Sequence, residues 1–180
     1  MPTRRVLVER TYLRLPAADR LRPGRPPAVD ATLRRLPPAD VAAWRALYAR
    51  VGGPWHWHDR DAWPDPQLAA YLARADVQVW AVDVPAHADR AAVRDAGMLE
   101  LRRHDDGSSE IVYLGLVVDV TGLGLGAWLL GEAVRRAFAA GATNVWLHTC
   151  TLDGPAALPN YRARGFEVER TETYEASLPD

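Results

Sequence analysis

No lysine occurs in this 180-residue chain; its 22 basic residues are all arginine, set against 23 acidic ones. That absence removes the Gly-Lys-Ser/Thr of a Walker phosphate loop. The arginines are scattered and the formal net charge is -1, so nothing in the balance points to nucleic acid or an anionic membrane surface as a partner. Cysteine is nearly absent too. Cys150 stands alone, which excludes an intramolecular disulfide and any cysteine-based metal cluster. No apolar run approaches the roughly 20 residues that span a bilayer. Residues 1–6 carry neither the apolar core nor the cleavage site of a signal peptide. A soluble, cytoplasmic protein is the expectation. What is present is ordinary for a globular domain: 48% hydrophobic and 25% charged residues, with length enough for one real core.

Strand and helix patterns alternate along the chain. Residues 3–14 carry a strand around Val6-Leu7-Val8, followed by a Pro/Arg-rich connector over 15–27. A short strand is expected at 31–36. A helix follows over 40–51, with Val41, Trp44, Leu47 and Tyr48 on one face. Gly52-Gly53-Pro54 stops it, and an aromatic loop, 55–63, leads to a second helix over 65–74. Strands are expected at 77–84, 96–103 and 110–118, the last two joined through Asp105-Asp106-Gly107-Ser108 as a hairpin. A long helix over 124–140 shows a wide apolar stripe and closes on Gly141. A strand at 145–148, a helix at 155–164 and a strand at 166–174 complete the pattern, which is that of a mixed α/β sheet.

The most informative stretch is Leu116-Val117-Val118-Asp119-Val120-Thr121-Gly122-Leu123-Gly124-Leu125-Gly126-Ala127. A strand runs into three alternating glycines and a helix leaves at once. Glycine lets a backbone turn tightly and approach a ligand. The first N–H groups of the helix are unpaired and carry the positive end of its dipole, an arrangement suited to a pyrophosphate. A dinucleotide-binding turn would need Gly-x-Gly-x-x-Gly and an acid about 20 residues on. Here the third glycine falls one residue early and residues 142–149 contain no acid. A plain strand-to-helix turn is the remaining alternative.

The stretch resembles motif A of the GNAT acetyltransferase superfamily, Arg/Gln-x-x-Gly-x-Gly/Ala, with Thr121 at the Arg/Gln position and Gly124 and Gly126 as its glycines. Asn160-Tyr161-Arg162-Ala163-Arg164-Gly165-Phe166 resembles motif B, Tyr-x-x-x-Gly-Phe, in the right order and 35 residues after Gly126. The similarity covers roughly residues 29–176. More narrowly it reaches a bacterial subgroup with a Trp-His-Trp loop. It implies a GNAT fold, a mostly antiparallel mixed sheet flanked by about four helices, over residues 29–180, with 1–28 as an N-terminal arm of one added strand plus a connector. It also implies that the strand residues Leu116, Val117 and Val118, the turn residues Thr121, Gly122, Leu123, Gly124, Leu125, Gly126 and Ala127, and Asn160 contact acetyl-CoA. Three departures stand out: Thr121 in place of Arg/Gln, Leu123 where a basic residue is common, and Val118 where proline is common. A charged phosphate contact is lost with them.

In that family the tyrosine of motif B acts as general acid to the departing thiolate, which assigns the role to Tyr161. Glu110 lies eleven residues before Thr121, the offset of the base glutamate in histone-acetylating members. Alternation puts it on an apolar face with Val112, Leu114, Leu116 and Val118, suiting a base that acts through water. The alternative is a solvated residue at a strand start. His148 reads as a base, a substrate contact or a hydrogen-bonded structural residue, Cys150 as a small buried residue, and Asp153 as a helix cap.

Trp55, His56, Trp57, His58, Asp59, Arg60 and Trp63 crowd the loop that borders the acceptor in GNAT proteins. Trp55, Trp57, His58, Arg60 and His148 are therefore the expected acceptor contacts, the alternative being tryptophans that plug the core. His56-x-His58 lacks further ligands for a metal, so no metal is expected. The resemblance implies direct transfer of an acetyl group from acetyl-CoA to the primary amine of a small molecule or peptide, in a monomer or homodimer. A longer-chain acyl-CoA transferase and a catalytically silent CoA-binding regulatory or interaction module are the alternatives.

Overall fold

The computed structural model of the chain describes residues 3–179. Met1, Pro2 and Asp180, which the expected arm and domain bounds include, lie outside the described residues. Seven stretches of alternating or continuous apolar residues form one sheet: β1 (Thr3–Leu15), β2 (Thr32–Arg35), β3 (Val77–Val84), β4 (Val93–Arg103), β5 (Ser109–Leu116), β6 (Val145–Cys150) and β7 (Glu167–Pro179). Their order is β2-β3-β4-β5-β6-β1-β7, antiparallel throughout except for the parallel pair β5–β6. Four α-helices flank the sheet: α1 (Val41–Gly52), α2 (Asp65–Leu72), α3 (Leu125–Ala139) and α4 (Ala157–Ala163).

Local sequence explains most of these boundaries. Asp40 caps α1, accepting a hydrogen bond from the Ala43 N–H at 3.1 Å. Trp44, Leu47, Tyr48 and Val51 make its buried face. α3 buries Leu129, Leu130, Ala133, Val134 and Ala137 against the sheet. The strand expected to run through Val118 ends at Leu116. Val117 still donates to the Ala96 carbonyl, but Val118–Val120 form a 3-10 turn. Asp153 does not cap α4. Its carboxylate turns back to accept from the Thr149 hydroxyl (2.6 Å) and the Cys150 N–H (2.9 Å), fixing the end of β6 instead.

The first strand in sequence is not at an edge. β1 lies between β6 and β7, and pairs residues 10–15 with β6 on one side and nearly its whole length with β7 on the other. Val8, Leu13 and Leu15 are fully buried there. On the other side of β6 the pairing fails early. β5 and β6 are in register only at Ser109↔Val145 and Glu110↔Trp146, and then diverge.

Candidate active site

The cavity opens where β5 and β6 part. It has a volume of about 710 Å³, with Ile111 to Leu116 of β5 on one wall and Leu147, His148 and Cys150 of β6 on the other. That size is usual for a small-molecule site. The register of β4 against β5 jumps from Leu101↔Ile111 to Glu100↔Tyr113, so Val112 is an extra residue beside the cavity. Beyond the two paired residues, the β5 backbone has no β6 partner. A polar chain entering the cleft finds an open strand edge to bond.

At the end of β5 the cavity reaches the glycine turn. Gly122 (φ 86°) and Gly124 (φ 75°) adopt the left-handed conformation that disfavours side chains. Gly124 is the residue from which α3 departs, without a capping side chain. Its N-terminal amides remain free, and Leu125, Gly126 and Ala127 line the cavity. Thr121, Gly122, Gly124 and Leu116 line it as well, whereas Val117, Val118 and Leu123 do not. Val118 points to solvent, 66% exposed, because the 3-10 turn carries it away from β5. Arg90, from the β3–β4 connection, donates to the carbonyls of Asp119 and Thr121, both at 3.4 Å, and brings a cation to a turn that lacks its own.

α4 closes the same end. Asn160 Nδ2 donates to the Gly126 carbonyl at 3.2 Å, tying α4 to the first turn of α3. One position on, Tyr161 is 7% exposed and lines the cavity. Among the described residues its hydroxyl makes no hydrogen bond. Burial pushes its pKa up, with Asp153 adding to the effect, so the phenol stays protonated.

His148 lines the opposite wall. Its surface is open, but to a concave space walled by protein. Burial lowers its pKa, Arg10 lowers it further, and Glu110, Asp153 and Asp59 oppose them; the net shift is downward and the imidazole is neutral near pH 7. Glu110 is placed differently from the expectation. It sits where β5 and β6 are still paired, 3.0 Å from His104 Nε2, and is not among the lining residues. The cleft starts one residue after it.

The aromatic loop divides its residues between core and cavity. Trp57 seats on two glycines: a Cβ on Gly52 would collide with its indole, and one on Gly115 would lie 2.7 Å from Val51 and 3.1 Å from Trp57. It also meets the Tyr113 ring at 4.8 Å. Trp55, His56, Trp57 and Asp59 line the cavity. Arg60 and His58, both expected to meet the acceptor, are not among the residues that line the cavity. His58 faces solvent and bonds Asp61 at 2.7 Å. Arg60 is buried, 2.9 Å from the Glu100 carboxylate, with the rings of Tyr71, Trp63, Tyr113 and Trp44 around its guanidinium. Trp44 Nε1 (2.9 Å) and the Tyr71 hydroxyl (2.8 Å) donate to the same carboxylate. A buried charge needs such company, and with it Arg60 ties the loop to β4. The His56 and His58 rings are 6.2 Å apart, and no group of three or more metal-ligating side chains gathers among the described residues. No described helix is long and apolar enough to cross a membrane.

Two lining residues come from the first and last strands, far from both motifs and the loop: Arg10 of β1 and Tyr174 of β7. Nothing local in their sequence marks them. They arrive through strand pairing, and Arg10 Nη2 donates to the Tyr174 hydroxyl at 3.3 Å.

The sequence model of the acetyltransferase (GNAT) family matches residues 43–166. No curated protein matches the chain. Among solved structures, a GCN5-related N-acetyltransferase from Kribbella flavida aligns with 98% of this chain and 60% of its own length, at 22% identity and a TM-score of 0.59. A second GCN5-related N-acetyltransferase, from Sphaerobacter thermophilus, aligns with 98% of this chain and 54% of its own, at 16% identity and a TM-score of 0.64. The chain thus spans little more than half the length of these solved relatives, and at such identities they speak to the fold alone. The family match covers both glycine-turn and tyrosine motifs. The chain belongs to the acetyltransferase (GNAT) family.

Proposed function

We propose that the protein transfers an acetyl group from acetyl-CoA directly to a primary amine. The observation that carries this reading is the cleft between β5 and β6, which runs from an unpaired strand edge to a glycine turn at the N-terminus of α3. A pantetheine arm is an extended chain with amides, suited to the open edge. A pyrophosphate suits the free amides and positive dipole end of a 15-residue helix. Gly122 and Gly124 keep that approach clear of side chains.

The chemistry asks for a neutral amine, a proton acceptor and a proton donor for sulfur. His148 takes the base role that Glu110 was expected to fill, because it is neutral near pH 7 and faces the cavity. As the amine nitrogen attacks the thioester carbonyl, its proton passes to the imidazole. The C–S bond breaks, and Tyr161 gives its phenolic proton to the leaving sulfur. Water then restores both groups. The protonated phenol and the neutral imidazole occupy one cavity because burial shifts the two pKa values in opposite directions.

Calorimetric titration with acetyl-CoA and desulfo-CoA, with NADH as the control, tests the donor assignment. Saturable binding of the two CoA compounds alone is expected. No CoA binding up to millimolar concentration would overturn it.

A further inference from the structure

The acceptor end of the cavity carries opposite charges on two different elements. Arg10 is the only cation among the described lining residues. It stands on β1 between Cys150 of β6 and Glu172 of β7, on the face shared with His148 and Tyr174. Its guanidinium lies 4.7 Å from the centre of the Tyr174 ring. Its side chain is 29% exposed, and its Nε is buried without a partner. Glu172 approaches it only to 3.5 Å, since that carboxylate is held by the Tyr12 hydroxyl (2.8 Å) and Arg170 (2.7 Å). Arg10 is positioned, therefore, but not consumed.

Asp59 is the counterpart. It lines the cavity from the aromatic loop, is exposed, and makes no hydrogen bond or ion pair among the described residues. Both charges are felt at His148: beside the larger effect of burial, Arg10 also lowers its pKa and Asp59 opposes it. A ligand laid across this wall meets a carboxylate, a neutral base and a guanidinium. Trp55 and Trp57 form the apolar side, and the donor arm occupies part of the same 710 Å³, which favours a small acceptor.

We propose that the acceptor is a small zwitterionic amine, its carboxylate held by Arg10 and the Tyr174 hydroxyl and its ammonium drawn by Asp59 toward His148, where one proton leaves to water before the neutral nitrogen attacks. Arginine suits this because its planar fork matches a carboxylate. The N-terminal strand is then part of the specificity site as well as of the sheet. This assignment rests on the acetyl-transfer reading and extends it.

Acid and amide forms of aromatic, aliphatic and basic amino acids form paired acceptors, assayed with acetyl-CoA by release of free thiol. The acid-to-amide ratio of kcat/KM in the wild type is compared with that in Arg10→Gln, which cancels the difference in amine basicity. That ratio should fall about 10- to 100-fold, the effect of losing a charged hydrogen-bond partner, mainly through KM for the acid. Tyr174→Phe, which keeps the ring, should lower it by a smaller factor. Fluorescence of the CoA-saturated protein, which carries Trp55 and Trp57 at the site, reports binding of the same acids without turnover. A ratio untouched by Arg10→Gln would overturn the assignment, as would acids that neither bind nor react while CoA binds normally. Calorimetry with CoA on each variant separates these outcomes: loss of CoA binding by the wild type itself removes the functional reading and this one with it.

Discussion

His148 and Tyr161 face one cavity with their protons arranged for opposite tasks. The pKa of His148 lies below its ordinary 6.5, and a base works only when deprotonated. In the pH dependence of kcat, the acidic limb set by His148 should therefore have its midpoint below 6.5, as the imidazole takes up a proton. His148→Gln should remove that limb and lower kcat/KM about 100-fold, within the usual range for a positioned base. Stopped-time assays from pH 5 to 9 check both; a wild-type limb that survives in His148→Gln belongs to another group. Tyr161→Phe removes only the hydroxyl from a buried ring. It should cut kcat about 10- to 100-fold and leave the CoA dissociation constant within a few-fold. Equal losses in kcat and in CoA affinity would mean a packing role. The place of Tyr161 at the cavity was legible because motif B is local, seven consecutive residues ending in Gly165-Phe166. Glu110 falls outside the cavity for a physical reason: the β5–β6 ladder closes over it and opens one residue later.

The elements were largely visible in the sequence, because period-two and three-four patterns are set by neighbours along the chain. Strand 77–84 matches β3 residue for residue, and the long helix starts one residue past its glycine. How elements meet was not visible. Arg60 looked like a ligand contact because a charged residue among tryptophans suits a site as well as a core. Only the arrival of Glu100 from β4 gives the guanidinium its buried partner. That ion pair yields a prediction at this scale. Arg60→Met leaves a buried carboxylate unpaired and should cost about 3–5 kcal/mol in urea unfolding. Adding Glu100→Gln, whose amide oxygen still accepts from Trp44 Nε1 while its NH2 can donate to the Tyr71 hydroxyl oxygen, should recover about half of that loss. If Arg60→Met alone costs under about 1 kcal/mol, the range for exposed pairs, the loop is held by its rings and not by the charge. Gly52 and Gly115 show the same limit of local reading: both leave room for Trp57, which sits beyond the turn that follows α1.

At the scale of the whole sheet, β1 joins β7 to the other strands. β7 has no neighbour but β1, and β6 would become an edge without it. The Val6-Leu7-Val8 pattern announced a strand, but not its slot, because that slot depends on pairing across more than a hundred residues, as in the bond from Arg10 to Tyr174. Removing residues 1–16 would take away Val8, Leu13 and Leu15, each fully buried. At about 1.5–3 kcal/mol per buried aliphatic side chain, the loss is of the order of the total stability of a domain, about 5–15 kcal/mol. The truncated chain should lose its cooperative urea transition and expose the β6 edge to aggregation. A peptide of residues 1–16 added in trans should restore both the transition and CoA binding, since the ladder to β6 and β7 is rebuilt from backbone groups alone. A truncated chain that still unfolds cooperatively and binds CoA would make β1 an accessory of the sheet. In that case, with Arg10 gone, the loss of preference for carboxylate-bearing amines is the defect that should remain.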